Sequence, residues 1–142
     1  MLIRIISYGH KFYEEQGLNP PEHDFLFSLR DLKNPFWIPE LREFTGLDIQ
    51  IQDFFSAQND IQDRLEKIKT LVKDFVKDFS SNQSRNDDSE LCFAFKCTGG
   101  KHRSVYFAQA IFDYLNQELN QSEKLSLVIE HVDLPRYQSI KN

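Results

Sequence analysis

The segment that most constrains the fold is an apolar run that passes through two glycines directly into an amphipathic helix. Leu91–Cys97 (LCFAFKC) is short, apolar and aromatic, which is typical of a buried strand. Thr98-Gly99-Gly100 interrupts that pattern, and apolar residues then recur at helical spacing over Arg103–Leu119. A strand that enters a helix through so short a turn is half of a βαβ unit, which predicts a layered α/β fold.

Three further apolar runs predict strands, and one long amphipathic stretch predicts a second helix. The strands are expected at Leu2–Ser7, Asp24–Leu29 and Leu125–Val132, each bounded by turn residues. The helix is expected to run unbroken from about Ile51 to Phe79, with a buried stripe of Ile61, Leu65, Ile68, Val72, Phe75 and Phe79. We therefore predict an α/β fold, with residues 1–142 forming a single layered domain and a mainly parallel sheet of about four strands flanked by helices.

Composition excludes several classes of protein. A chain that is 40% hydrophobic and 13% aromatic is not disordered, and its net charge of -5 argues against a general polyanion binder. No apolar run approaches the roughly 20 residues of a membrane helix, so we expect a cytoplasmic protein with no membrane partner.

Cys92 and Cys97 fall on opposite faces of one strand, which favours reduced thiols. The four histidines lack metal-ligand spacing, and we expect no metal and no cofactor.

The loop Cys97–Ser104 (CTGGKHRS) carries the clearest chemistry. It lies where a parallel strand ends and a helix begins, so free backbone amides and the positive end of the helix dipole face a ligand there. The glycines allow close backbone approach, and three successive basic residues repel the dipole unless an anion compensates. The pattern predicts a phosphate site. Its candidate residues are Cys97, Thr98, Gly99, Gly100, Lys101, His102, Arg103 and Ser104, with Arg103 able to hold phosphate through two parallel hydrogen bonds.

Two other interpretations of the loop stay open. Cys97, five residues, Arg103 and Ser104 match the skeleton of cysteine-dependent phosphatases, in which a thiolate attacks phosphorus while the arginine holds the oxygens. Asp31 and Asp133 lie near strand ends, where either could serve as the general acid that this reaction needs. Alternatively, Cys97 only closes the strand end, and the loop is a tight turn with a solvated basic rim.

Motifs along nearly the whole chain resemble the C-terminal domain of RapZ-type RNase adapter proteins. The matching segments, in chain order, are Ser7–Lys11 (SYGHK), Phe27–Asp48 (FSLRDLKNPFWIPELREFTGLD), Cys97–Tyr106 (CTGGKHRSVY) and His131–Leu134 (HVDL). The resemblance implies a domain that senses glucosamine-6-phosphate and binds a regulatory small RNA, steering its processing by an endoribonuclease. In the full-length adapters, an N-terminal P-loop nucleotide-binding domain is joined to it.

The resemblance also implies a ligand site and partners. It assigns ligand contacts to Cys97, Thr98, Gly99, His102 and Arg103, with Arg30 and Asn34 added from the end of the second strand. Ser7 and His131 also fall near strand carboxyl ends and are further candidates for the same crevice. The expected partner is a phosphate-bearing small molecule, with RNA, an RNase or a second copy of the chain as additional candidates.

Departures from the family pattern bear on the choice of ligand. Ser28 replaces an acidic residue that could pair with the ammonium of an amino sugar, and Phe36 stands where the family often has histidine. Val132 and a weakly basic tail remove cations that a long RNA would use. Trp37, beside two prolines, is expected to cover the sheet edge, with stacking on a nucleobase as the alternative.

Overall fold

The computed structural model describes residues 1–82, 84–119 and 125–138. Four strands form one parallel sheet in the order β2-β3-β1-β4. The strands are β1 (Leu2–Gly9), β2 (Phe25–Ser28), β3 (Glu90–Cys97) and β4 (Ser126–His131). The predicted α/β class, the parallel sheet and the four strand positions are confirmed, with ends that differ by one or two residues. Because every pair is parallel, all carboxyl ends lie at one edge of the sheet, where Gly9 is paired with Cys97 and Ser7 with His131.

Helices cover one face of this sheet. The α-helices are α1 (Ile49–Ser56), α2 (Asn59–Ser81), α3 (Arg103–Leu119) and α4 (Pro135–Gln138), with 3-10 turns at His10–Phe12, Glu14–Gln16 and Pro35–Trp37. Alternate residues of the central strands, such as Ile5 and Phe93, pack with α1, α2 and α3 in one hydrophobic core. Burial of each side chain of this size contributes roughly 1.5–3 kcal/mol to the free energy of folding. None of the described helices is long and apolar enough to cross a membrane.

The single helix predicted from Ile51 to Phe79 is wrong, because two helices meet at Ala57 and Gln58. Phe55 and Ile61 are both fully buried, yet they lie six positions apart. In a continuous helix that spacing rotates the second side chain by about 240° from the first, away from the shared core. Gln58 instead adopts an extended conformation and redirects the chain, and the side-chain Nε2 of Gln62 donates a hydrogen bond to the Phe55 carbonyl across the break.

The buried stripes also differ from the prediction at two positions. In α2, Val76 is buried where Phe75 was expected, and the half-buried Phe75 ring stacks on Phe25 at 4.0 Å between centroids. In α3, for which the sequence predicts a buried stripe of Val105, Ala108, Phe112, Leu115 and Leu119, Ile111 is buried while Phe112 is half-buried. The rest of the α2 stripe is as predicted, since Ile61, Leu65, Ile68, Val72 and Phe79 are all buried, so the differences are confined to these single turns.

The opposite face of the sheet carries a smaller apolar cluster. Ile6, Tyr8, Cys92 and Ala94 are buried there, with Tyr13 and Val132 packed against them. Cys92 lies on this face, whereas Cys97 contacts Ser104 of α3, so the two free thiols occupy opposite sides of β3 as their odd spacing predicts.

Candidate anion-binding site

The loop between β3 and α3 is built on close contacts between glycines. Gly100 has a φ of 67°, a left-handed conformation that favours glycine. A Cβ at Gly100 would lie 2.7 Å from the Gly9 nitrogen, and a Cβ at Gly9 would lie 2.7 Å from the Gly99 carbonyl carbon. The end of β1 therefore supports the loop from below, and neither Gly9 nor Gly100 has room for a side chain.

Hydrogen bonds from the segment after β1 and from α4 hold this loop in place. The Lys11 amide donates to the Thr98 carbonyl at 3.0 Å, and the Tyr137 hydroxyl donates to the Gly99 carbonyl at 2.6 Å. The Lys101 ammonium also lies over the Tyr137 ring in a cation–π contact, 5.0 Å from the ring centroid. Tyr137 thus contacts both the backbone and a cation of the loop.

A second segment fixes the start of α3. The Gly46 amide donates to the Lys101 carbonyl at 2.9 Å, and the Lys101 ammonium donates to the Arg42 carbonyl at 2.7 Å. A Cβ at Gly46 would lie 2.5 Å from the His102 carbonyl oxygen. The Thr45-Gly46-Leu47-Asp48 segment therefore packs directly against the first turn of α3.

Arg103 acts first as a structural clamp. Its side chain is almost fully buried, and Nη1 donates to the carbonyls of Leu29, Arg30 and Leu32 at 3.2, 2.8 and 2.8 Å. Nη1 is therefore committed to the turn after β2, while Nη2 lies 3.4 Å from the Thr98 hydroxyl and Nε has no hydrogen-bond partner. Only the Nε and Nη2 edge of the guanidinium can therefore hold a phosphate through two parallel hydrogen bonds.

His102 is neutral rather than the cation that the sequence suggests. Burial lowers its pKa to about 4, and the neighbouring charges of Lys101 and Arg103 act in the same direction, against the carbonyls of Phe44 and Arg42. Its residue exposure is 4%, and Nε2 has no hydrogen-bond partner. An unpartnered polar atom buried this deeply is costly, so it marks a place where a ligand group is expected.

These groups surround a cavity of about 230 Å³. The cavity is lined by Lys11, Asn34, Phe36, Trp37, Cys97, Thr98, Gly99, Lys101, His102, Arg103 and Tyr137. The Cys97 thiol, 2% exposed as a residue, lies at its base and donates to the Ser104 hydroxyl at 3.2 Å. The site thus combines backbone amides, cations and an aromatic wall.

The structure brings together most of the residues that the sequence singled out. The seven candidates that line the cavity are Cys97, Thr98, Gly99, Lys101, His102, Arg103 and Asn34. Arg30 lines an adjoining cavity of about 530 Å³, and its Nε lies 3.5 Å from the Thr98 hydroxyl. Gly100 and Ser104 lie behind the loop and shape it without lining the cavity.

Ser7 and His131 form a separate buried network and line neither cavity. The Ser7 hydroxyl lies 2.7 Å from His131 Nδ1, and His131 Nε2 lies 3.2 Å from the Gln109 side-chain oxygen. Burial lowers the pKa of His131 to about 4. The expectation that both residues share the crevice with the loop does not hold, because the Ser7 side chain points towards α3 beneath the loop.

Three residues that line the cavity, Lys11, Phe36 and Tyr137, were not among the sequence candidates, and Trp37 was considered only through the alternative of stacking on a nucleobase. Trp37 is 76% exposed, so the expectation that it covers the sheet edge is wrong. The Asn34 side chain accepts a hydrogen bond from the Phe36 amide and starts the 3-10 turn that carries both rings. An Asn-Pro pair followed by two aromatic residues is the signal that pointed to this turn.

Ser28, the position of the acidic residue in the family pattern, is exposed and lines neither cavity. The two candidate general acids also lie outside both cavities. Asp31 is bound by both terminal nitrogens of Arg64, and Asp133 is fully buried against Gly9, Tyr13 and Arg136. Among the described residues, no group of three or more His, Cys, Asp or Glu side chains is arranged to hold a metal ion.

A parallel α/β sheet with a glycine loop at the carboxyl end of a central strand defines a class of proteins that bind ligands at that edge. Within this class, residues 1–135 match the family described as the RapZ C-terminal domain. The chain belongs to that family, as its motifs predicted.

Curated relatives extend the match. The chain is 37% identical over 134 residues to a nucleotide-binding protein of Petrotoga mobilis, covering 94% of this chain and 42% of the relative. Nucleotide-binding proteins of Pasteurella multocida and Thermosipho africanus are 34% identical over 132 residues and 35% over 133. These matches cover 93% and 94% of this chain and 41% and 42% of the relatives. The chain thus spans about two-fifths of their length.

Proposed function

We propose that this domain is a non-catalytic sensor that binds a phosphate-bearing small ligand, of the sugar-phosphate class, at Cys97–Ser104. One observation carries the proposal: two deeply buried polar atoms, His102 Nε2 and Arg103 Nε, have no protein partner, and both residues line the cavity at the start of α3. A phosphate oxygen accepts from the Arg103 Nε–H, a phosphate hydroxyl donates to the unprotonated Nε2 of neutral His102, and a helix N-terminus favours the phosphate charge.

The surrounding charges support an anion rather than a neutral ligand. Lys11, Lys101 and Arg103 line the cavity, and none of its lining residues is acidic. Neutral His102 adds a hydrogen-bonding nitrogen without repelling the helix dipole. Binding here removes the repulsion between Lys101, Arg103 and the positive end of α3, so the loop is stabilised by the ligand it holds.

The same geometry disfavours the phosphatase alternative. A cysteine-dependent phosphatase needs a proton donor for the leaving group near neutral pH. The cavity offers no carboxylic acid, His102 has a pKa of about 4, and burial raises the pKa of Tyr137 to about 12. Binding without turnover is the function that these groups support best.

Isothermal titration calorimetry tests the binding proposal. Inorganic phosphate, glucosamine-6-phosphate and unphosphorylated glucosamine are titrated into the folded protein, and the phosphates are expected to bind while glucosamine does not. Lys101→Gln should weaken phosphate binding, and Lys77→Gln on the exposed face of α2 serves as the matched charge control. If no phosphate compound binds to the folded protein, the sensor proposal fails.

Such a sensor acts by binding or releasing a partner macromolecule. The resemblance to the family suggests a regulatory small RNA as that partner. The acidic net charge and the few basic residues near the end of the chain limit the phosphate contacts available to RNA. RNA binding is measured at low salt, where these contacts are strongest. Retention that falls in Arg103→Ala without any sugar phosphate, in a sample that circular dichroism shows to be folded, supports a direct RNA role, and no retention of the wild type at low salt excludes it.

An aryl-phosphate assay tests the phosphatase alternative directly. Turnover by the wild type that disappears in Cys97→Ser would overturn the non-catalytic assignment. The proposal expects no turnover by either protein, while both bind phosphate in calorimetry.

A further inference from the structure

Two adjoining cavities, here together called the crevice, share the wall that carries Trp37. The cavity at the loop and the adjoining cavity of about 530 Å³ share Asn34, Trp37, Thr98 and Arg103. The Asn34 side chain accepts a hydrogen bond from the Phe36 amide at 3.1 Å, and its carbonyl accepts one from the Trp37 amide at 3.2 Å. These bonds fix the turn that places the exposed indole between the two halves of the crevice.

All the Lys, Arg, Asp and Glu side chains that line this crevice are cationic. Lys11 and Lys101 line the first half, Arg30 and Lys33 line the second, and Arg103 lines both. No aspartate or glutamate lines either half. A ligand that spans the crevice therefore meets cations at both ends.

The nearest acidic residue in sequence lines neither half of the crevice and is paired with an arginine outside it. Asp31 follows Arg30 directly, but Arg64 of α2 binds its carboxylate through both terminal nitrogens. Arg64 is the main cause of the lowered pKa of Asp31, and a weaker attraction links the same carboxylate to Arg103. The Lys33 ammonium lies 5.5 Å from the Phe54 ring centroid and forms no ion pair in the described part of the chain.

From this arrangement we propose that the crevice selects a phosphate ester that carries a second anionic group and no ammonium group. The first phosphate binds at the loop, the second anion binds at Arg30 and Lys33, and the body of the ligand lies against Trp37. The proposal rests on the proposed function and names its ligand class. An ammonium group is disfavoured because it would be held among five cationic side chains with no carboxylate to pair with it.

Trp37 provides the readout for this proposal. It is the only tryptophan of the chain, it is 76% exposed, and it lines both halves of the crevice. A ligand that crosses the crevice covers the indole and changes its fluorescence intensity and emission maximum. Titrations by tryptophan fluorescence, with calorimetry as the independent measure of affinity, therefore report both binding and location.

Two matched ligand pairs test the two halves of the proposal. Fructose 1,6-bisphosphate and fructose 6-phosphate differ by one anionic group, and glucose 6-phosphate and glucosamine 6-phosphate differ by an ammonium. The bisphosphate is expected to bind roughly tenfold more tightly than the monophosphate, with an advantage that shrinks as salt is added. Glucosamine 6-phosphate is expected to bind several-fold more weakly than glucose 6-phosphate.

Variants locate the second anion. Lys33→Gln and Arg30→Gln should each reduce the ratio of bisphosphate to monophosphate affinity, and together they should bring it close to one. Lys77→Gln removes an equal charge from the exposed face of α2, outside both cavities, and should leave the ratio unchanged. Circular dichroism of each variant confirms that the fold is retained.

The outcomes separate this proposal from the one on which it rests. If inorganic phosphate and all four esters fail to bind, the proposed function itself is wrong. If the esters bind but the bisphosphate has no advantage, or glucosamine 6-phosphate binds as tightly as glucose 6-phosphate, only the ligand class is overturned. Binding seen by calorimetry with no change in Trp37 fluorescence would overturn the placement of the ligand in the crevice.

Discussion

The carboxylate of Asp133 accepts a hydrogen bond from the backbone amide of Gly9 at 2.7 Å, which joins the segment after β4 to the end of β1. Asp133 is fully buried and also accepts hydrogen bonds from Tyr13 and Arg136. Because Gly9 supports Gly99 and Gly100, this carboxylate fixes the platform on which the anion loop lies.

Asp133→Asn should therefore destabilise the protein. The substitution puts an amide donor where a buried oxygen now accepts hydrogen bonds, and we expect a loss of about 1–3 kcal/mol in the free energy of unfolding. Urea denaturation measures it, with the exposed Asp78→Asn as the control of equal charge change. A loss no larger than that of the control would contradict a structural role for Asp133.

Gly100→Ala should be more costly than Gly17→Ala. Both glycines have positive φ, 67° and 72°, but a Cβ at Gly17 meets nothing within 4 Å, whereas one at Gly100 lies 2.7 Å from the Gly9 nitrogen. The Gly17 variant measures the conformational cost alone, about 1–2 kcal/mol. The Gly100 variant adds the steric cost and should also weaken phosphate binding in calorimetry. Equal losses of stability would show that the contact between Gly9 and Gly100 is not tight.

Arg103→Lys keeps the positive charge but removes the planar group that reaches three carbonyls. Lysine has a single nitrogen and cannot replace Nη1 and Nη2 together. We expect a loss of roughly 2–3 kcal/mol in the free energy of unfolding, because buried carbonyls of Leu29 and Leu32 lose a charged donor. Arg85→Lys, in an exposed segment, is the control. A stability equal to the control would mean that the clamp contributes nothing.

Stability should fall as the pH drops from 7 to 5. Burial lowers the pKa values of His102 and His131 to about 4, so both stay neutral in the folded protein while the unfolded chain takes up protons near pH 6.5. Since the unfolded state binds more protons in this window, each histidine removes about 2 kcal/mol between pH 7 and pH 5. This stability is present above about pH 6.5 and is lost towards pH 4.

Urea denaturation at the two pH values measures the effect, and His131→Gln should remove about half of it. Proton NMR of the imidazole rings gives an independent result, because the His102 and His131 signals should keep their neutral positions at pH 5.5. A ring that titrates near pH 6.5 in the folded protein would contradict its assignment as neutral.

Local patterns predicted the strands and α3 because hydrophobic periodicity is a property of the chain itself. Leu91–Cys97 is buried at every position except Lys96, as its continuous apolar run predicts, and the helix over Arg103–Leu119 has the predicted ends. The break at Ala57 and Gln58 escaped prediction because no glycine or proline marks it. It arises from the need to bury Phe55 and Ile61 in one core, which is a tertiary requirement.

The sequence by itself determined that a strand, two glycines and a basic helix start form one unit, because these residues are adjacent in the chain. It also determined the family, because short motifs match in order along nearly the whole chain. Only the tertiary structure decided what these residues do. Burial makes His102 neutral, carbonyls from the turn after β2 occupy Nη1 of Arg103, and packing beneath the loop pairs Ser7 with His131 outside the cavities. Charge state, hydrogen-bond partners and exposure depend on segments distant in the sequence, and no local pattern encodes them.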